Sequence, residues 1–113
     1  MTQPKLFEKP AETVDLEMVI LYALGDFQSR GKVLANRELA FDRLRGAFLR
    51  AFTRFRIPEV SEEQIVQTLK ELGATVTKVP NYVAKRPYRI IITNQTAHAS
   101  KDLFHKKRNP EIG

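Results

Sequence analysis

The stretch VSEEQIVQTLKELGATVTKV, residues 60–79, changes its period halfway along, and that change restricts the fold more than any other feature. Its first half is helical. Ser61 is placed as an N-cap, Gln64 completes a capping box, and Val60 and Ile65 are spaced for a hydrophobic staple. Ile65, Val66, Leu69 and Leu72 then form one apolar stripe, and Gly73 supplies the left-handed residue that ends such a helix. The second half, ATVTKV, is rich in β-branched residues without a helical period and reads as a strand. Helix and strand thus follow each other directly, and the expected class, α+β, rests on the order of elements along the whole chain.

The remaining segments divide in the same way. VDLEMVILYALGDFQSR places Leu16, Val19, Ile20, Ala23, Leu24 and Phe27 at helical spacing behind Thr13 or Asp15 as cap, with Gly31 as terminator. KVLA, residues 32–35, reads as one short strand, and Asn36 as the cap of a helix over RELAFDRLRGAFLRAFTRF. That helix collects Phe41, Leu44, Phe48, Ala51, Phe52 and Phe55 on one face, with Arg43, Arg50 and Arg54 nearly opposite. Pro58 breaks it. YRIIIT, residues 88–93, is a second clear strand, with Tyr88, Ile90 and Ile92 on one face and Arg89, Ile91 and Thr93 on the other. The expected organisation is an N-terminal arm over 1–12, a domain over 13–95, and a poorly ordered basic tail over 96–113 whose Leu103-Phe104 docks back.

Charge is placed unevenly. Residues 1–77 hold eleven Lys and Arg against eleven Asp and Glu; residues 78–113 hold eight Lys and Arg against Asp102 and Glu111 alone, and so carry the whole net charge of +6. Such asymmetry points to a polyanion, with nucleic acid the usual one. The densest cluster is KVPNYVAKRPYR, where Lys78, Lys85, Arg86 and Arg89 are interleaved with Tyr82 and Tyr88 and no acid intervenes. Cations there neutralise phosphates while a tyrosine stacks on a base or sugar. Lys or Arg on a hairpin also discourages edge pairing, but four without a compensating acid exceed that need. Lys106, Lys107 and Arg108 add a second basic group, and Arg43, Arg50 and Arg54 form either a solvated or a phosphate-facing stripe.

From Leu16 to Thr93 the order helix, short strand, helix, helix, strand, loop, strand resembles the winged helix-turn-helix superfamily. The resemblance implies three helices and a small antiparallel sheet, with Ser61 to Leu72 as recognition helix and Pro80 to Pro87 as wing. It also implies DNA binding, the third helix in the major groove and the wing along the backbone. The connection around FRIPEV is longer than the turn of the simplest members. On the third helix, Gln67 and Lys70 suit base or phosphate contact, whereas Glu63 and Glu71 do not. The hairpin is therefore the expected main contact.

No cysteine is present, and His98 and His105 are not spaced as a metal-ligand pair, so neither a metal nor another cofactor is expected. Without a thiol, a His–carboxylate pair, a glycine-rich phosphate loop or an acidic cluster, catalysis is not expected either. The longest apolar run, Met18 to Leu24, is too short to span a membrane and no signal layout opens the chain, which leads to the expectation of a cytoplasmic protein, associated with the nucleoid if it binds DNA. The expected function is a non-catalytic nucleic-acid-binding protein, with DNA favoured over RNA, acting as a small transcriptional regulator or chromosome-associated factor. The rival expectation is a protein-interaction module on the same scaffold within a larger assembly. A homodimer through the first helix, whose MVILYAL segment is apolar almost all round, is compatible with both.

Overall fold

The computed structural model describes residues 15–58, 60–80 and 88–108; the expected arm over 1–12 lies outside them. The elements run α1 (Leu16–Ser29), β1 (Glu38–Ala40), α2 (Phe41–Arg54), α3 (Glu62–Glu71), β2 (Thr75–Lys78), β3 (Tyr88–Ile91) and α4 (Asn94–Arg108). The class is α+β, with four helices and a three-stranded antiparallel sheet in the order β1–β3–β2, an arrangement compatible with a winged helix. No described helix is long and apolar enough to cross a membrane.

α1 is the axis of the molecule and touches each of the other three helices. Asp15 caps it by accepting from the Glu17 amide at 3.1 Å. Val19, Ile20, Ala23 and Leu24 are fully buried, and Tyr22, Asp26 and Phe27 nearly so, so the helix is covered on most sides. Within the MVILYAL segment Met18 and Leu21 are half-buried. Each fully buried Ile or Leu contributes about 1.5–3 kcal/mol relative to exposure, and α1 shares the holding of the core with α2, which buries Phe41, Leu44, Phe48 and Phe52.

The sheet closes the other side. β3 is central, pairing Leu39 with Ile90 on β1 and Val76 with Ile90 on β2. Ile90 and Ile92 are fully buried while Ile91 is 36% exposed, so the alternation expected for YRIIIT holds.

Two expectations are corrected. The strand placed at KVLA lies instead at Glu38–Ala40. Leu34 is buried and Ala35 makes only an isolated parallel bridge to Ile92, after which Asn36 turns the chain with φ of 56° while its amide donates to the Ile92 carbonyl at 2.7 Å. Asn36 is therefore a turn residue, not a helix cap, and α2 begins at Phe41 after an N-cap, Ala40, that offers no side-chain hydrogen bond. Tertiary pairing with β3 overrides the helical propensity of RELA.

The second correction concerns the tail. Residues 94–108 form α4, packed along α1. Thr93 accepts from the Thr96 amide at 3.1 Å as a cap, and the Thr96 hydroxyl donates to the Leu72 carbonyl at 2.8 Å, tying α4 to the end of α3. Ala97 and Ser100 are buried against α1, where Gln28 Nε2 donates to the Ala97 carbonyl at 2.9 Å and to Ser100 Oγ at 2.8 Å. Phe104 is buried with its ring 4.9 Å from that of Tyr22, so the docking point expected at Leu103-Phe104 forms as part of a helix.

α2 and α3 end in the same double hydrogen-bonded turn. After α3, the Gly73 amide donates to Lys70 and the Ala74 amide to Leu69, with Gly73 at φ of 92°. After α2, the Arg56 amide donates to Thr53 and the Ile57 amide to Phe52, with Arg56 at φ of 56°. An arginine stands where glycine is relaxed.

Two outcomes follow. A methyl group on Gly25 would overlap the Ser100 carbonyl oxygen and Phe104 Cβ, so Gly25→Ala lowers stability in urea by about 2–3 kcal/mol although alanine is the better helix former. Arg56→Gly raises stability by about 0.5–1 kcal/mol, the relief of left-handed strain less the added freedom of the unfolded chain.

Candidate nucleic-acid interface

The sheet register sets the geometry of the basic hairpin. Lys78 pairs with Tyr88 at the end of the β2–β3 ladder, and the pair faces the same way. Lys78 Nζ lies 5.8 Å from the centre of the Tyr88 ring, which itself sits 6.3 Å from the Phe41 ring at the start of α2. Tyr88 is half-buried, as the alternation requires. Arg89 projects from the opposite face of β3, between Ala40 and Thr77, and its Nη1 makes a long contact of 3.5 Å to the Tyr88 carbonyl. The base of the hairpin thus carries cations on both faces. Tyr82, Lys85 and Arg86 lie outside the described residues.

α3 precedes the hairpin directly. Ser61 and Gln64 form the capping box, with the Gln64 amide donating to Ser61 Oγ at 3.1 Å and the Ser61 amide to Gln64 Oε1 at 3.2 Å. Gln64 is thereby occupied. Gln67 and Lys70 are exposed, but Gln67 Nε2 reaches Glu71 Oε2 at 3.4 Å, and Glu63 and Glu71 share the open face. That face holds one cation and two carboxylates, which suits local helix electrostatics better than a phosphate backbone.

The arginine stripe divides. Arg43 is exposed. Arg50 Nε donates to Asp26 Oδ2 at 2.6 Å, while Arg30 Nε donates to Asp26 Oδ1 at 3.3 Å, so the nearly buried carboxylate is satisfied by two guanidinium groups. Arg54 Nη2 donates to the Lys107 carbonyl at 2.7 Å and caps the last turn of α4, its guanidinium 5.5 Å from the Tyr22 and Phe55 ring centres. Arg50 and Arg54 therefore fasten α2 to α1 and α4. Asp26, expected on the surface of the first helix with Asp15 and Glu17, is instead nearly buried; an acid on the buried side of an apolar helix is the signal that points to it.

Lys106 and Lys107 are exposed on α4, and the side chain of Arg108 is outside the described residues. This second basic group does not join the first. Tyr88 packs at the start of α2 and Lys107 at its end, so the groups stand about 20 Å apart, the length of a 14-residue helix. Among the described residues no cluster of three or more His, Asp or Glu could hold a metal ion; His98 and Asp102 form only an exposed pair at 3.6 Å.

A groove of about 530 Å³ between α2 and the start of α3 was not foreseen. Phe48, Phe52 and Ile65 form its floor, and Arg45, Leu49, Arg56 and Glu62 stand around it, Leu49 being 50% exposed. An apolar residue off the buried face of α2 is the trace it leaves in the sequence. Compared with family models, curated proteins and solved structures, the chain has no match.

The division of the stripe has a measurable consequence. Arg50→Ala lowers stability by about 1–2 kcal/mol, the lower part of the range for a charged hydrogen bond because Arg50 is itself 43% exposed, while Arg43→Ala changes it by less than about 0.5 kcal/mol in the same denaturation experiment.

Proposed function

We propose that this chain is a winged-helix module that holds duplex DNA mainly through phosphate contacts made by its β2–β3 hairpin. The observation that carries the reading is the junction of α3, β2 and β3. A capped helix leads through Gly73 into a hairpin whose ladder closes on Lys78 and Tyr88, in the basic third of the chain. The strand order β1–β3–β2 supports the winged-helix assignment.

In this reading Lys78 and Arg89, with Lys85 and Arg86 beyond them in sequence, neutralise backbone phosphates and release counterions. Tyr82 supplies a stacking surface. α3 lies beside the backbone rather than reading bases, because Glu63 and Glu71 oppose close phosphate approach and Gln67 already has a partner. Binding is then strong at low salt and only weakly dependent on sequence, which fits a chromosome-associated factor better than a regulator with a defined operator. Lys106 and Lys107, about 20 Å from the hairpin, reach a separate stretch of backbone or none.

Titrating the full chain with duplex DNA, single-stranded DNA and RNA at several salt concentrations tests this. The expected result is preference for duplex, with affinity falling steeply as salt rises; Lys85→Ala with Arg86→Ala lowers the log–log salt slope by about 2 and weakens all duplex sequences alike. An unchanged affinity and slope in the double variant would remove the hairpin from the interface.

A further inference from the structure

We infer that the groove between α2 and α3 is a docking site for an acidic amphipathic helix of another polypeptide, a function independent of nucleic-acid binding. Three observations meet there. The floor is apolar, and the half-exposed Leu49 at its edge continues that apolar surface out to solvent. Arg45 and Arg56 flank it, one in the second turn of α2 and one just past its end, and neither has an ion-pair partner among the described residues. Arg56, finally, holds a left-handed backbone conformation that glycine would adopt without strain, so its guanidinium is present at some expense to the fold.

The spacing selects the occupant. Arg45 and Arg56 are separated by roughly the length of three helical turns, about 16 Å if the α2 rise is continued to Arg56, which exceeds the span of a compact small molecule. A helix laid along α2 matches it. Its apolar side chains at positions i, i+3 and i+4 would enter the groove beside Leu49, and carboxylates near its two ends would meet the two arginines. Glu62 lies at the first turn of α3, at the edge of the groove, where it complements that helix dipole.

The probe is a synthetic peptide of about 16 residues, helical by composition, with a leucine stripe and glutamates in its first and last turns, titrated into the isotopically labelled full chain. Two control peptides replace the leucines by serine or the glutamates by lysine. The acidic leucine peptide is expected to shift the amides of Arg45, Leu49, Thr53 and Arg56, and neither control to do so. Leu49→Glu weakens it about tenfold or more and Arg56→Gly about fivefold, the latter while raising Tm by a few degrees. Lys106→Ala with Lys107→Ala changes it by less than about twofold, since a surface charge at a distance is screened. Opposite movement of stability and affinity in Arg56→Gly separates loss of a contact from loss of the fold.

Three results would overturn the proposal: no shift in the groove at millimolar peptide, equal binding by the serine peptide, which marks charge attraction alone, or shifts confined to the hairpin and α4. Concentration-dependent self-association that Leu49→Glu abolishes would also overturn it, by assigning the groove to a second copy of the chain.

Discussion

The close approach of α1 and α4 at Gly25 is the constraint on which the remaining packing depends. A helix with bulky residues on every side cannot receive three others, and α1 carries large apolar side chains toward α2 and α3. Toward α4 it offers Gly25, with Ala97 and the fully buried Ser100 facing it, so the two backbones meet almost directly. Ser100 is not a buried polar defect, because its hydroxyl donates to the Ala97 carbonyl at 2.7 Å and accepts from Gln28. With α4 seated, Phe104 covers Tyr22, Arg54 caps the end of α4, and the Thr96 hydroxyl takes up the Leu72 carbonyl left at the end of α3. Helix termini and an arginine that would otherwise be solvated become joints of one body.

That same contact explains what the sequence conceals. α1, α3, β2 and β3 are legible because large apolar residues repeat at periods of 3.6 or 2, and the capping box at Ser61 and Gln64 fixes where α3 begins. α4 is hidden because a tight helix–helix contact selects small residues, so Ala97 and Ser100 occupy positions where a leucine would have revealed the period. β1 is hidden for a different reason. RELA favours helix locally, and only the ladder offered by β3 makes it extended; the left-handed turn at Asn36 that delivers it there is the one local hint.

The candidate site was legible in part. Charge asymmetry picked out the cluster that holds Lys78, and alternation set Tyr88 and Arg89 on opposite faces of their strand, but the placing of Lys78 beside Tyr88 needs the β2–β3 register. Helical spacing alone could not separate Arg43 from Arg50 and Arg54, because the distinction rests on partners far away in sequence, Asp26 on α1 and the Lys107 carbonyl on α4. With those two arginines engaged, the hairpin base and the end of α4 remain as basic groups at opposite ends of α2, beside the exposed Arg43, Arg45 and Arg56, while the open face of α3 is acidic. The electrostatic balance therefore favours the hairpin over α3 as the part that meets a polyanion. The groove lined by Arg45, Leu49 and Arg56 lies along α2 and leaves room for a second, chemically different partner.

The central claim is that the hairpin, and not the helix before it, carries the nucleic-acid contact. Mapping amide shifts of the full chain against a short duplex at low salt tests it most directly. The largest changes are expected from Lys78 through Arg89, with smaller ones at Gln67 and Lys70, and recovery of all of them as salt is added. Changes concentrated on the exposed face of α3 that persist at high salt, with the hairpin silent, would contradict it.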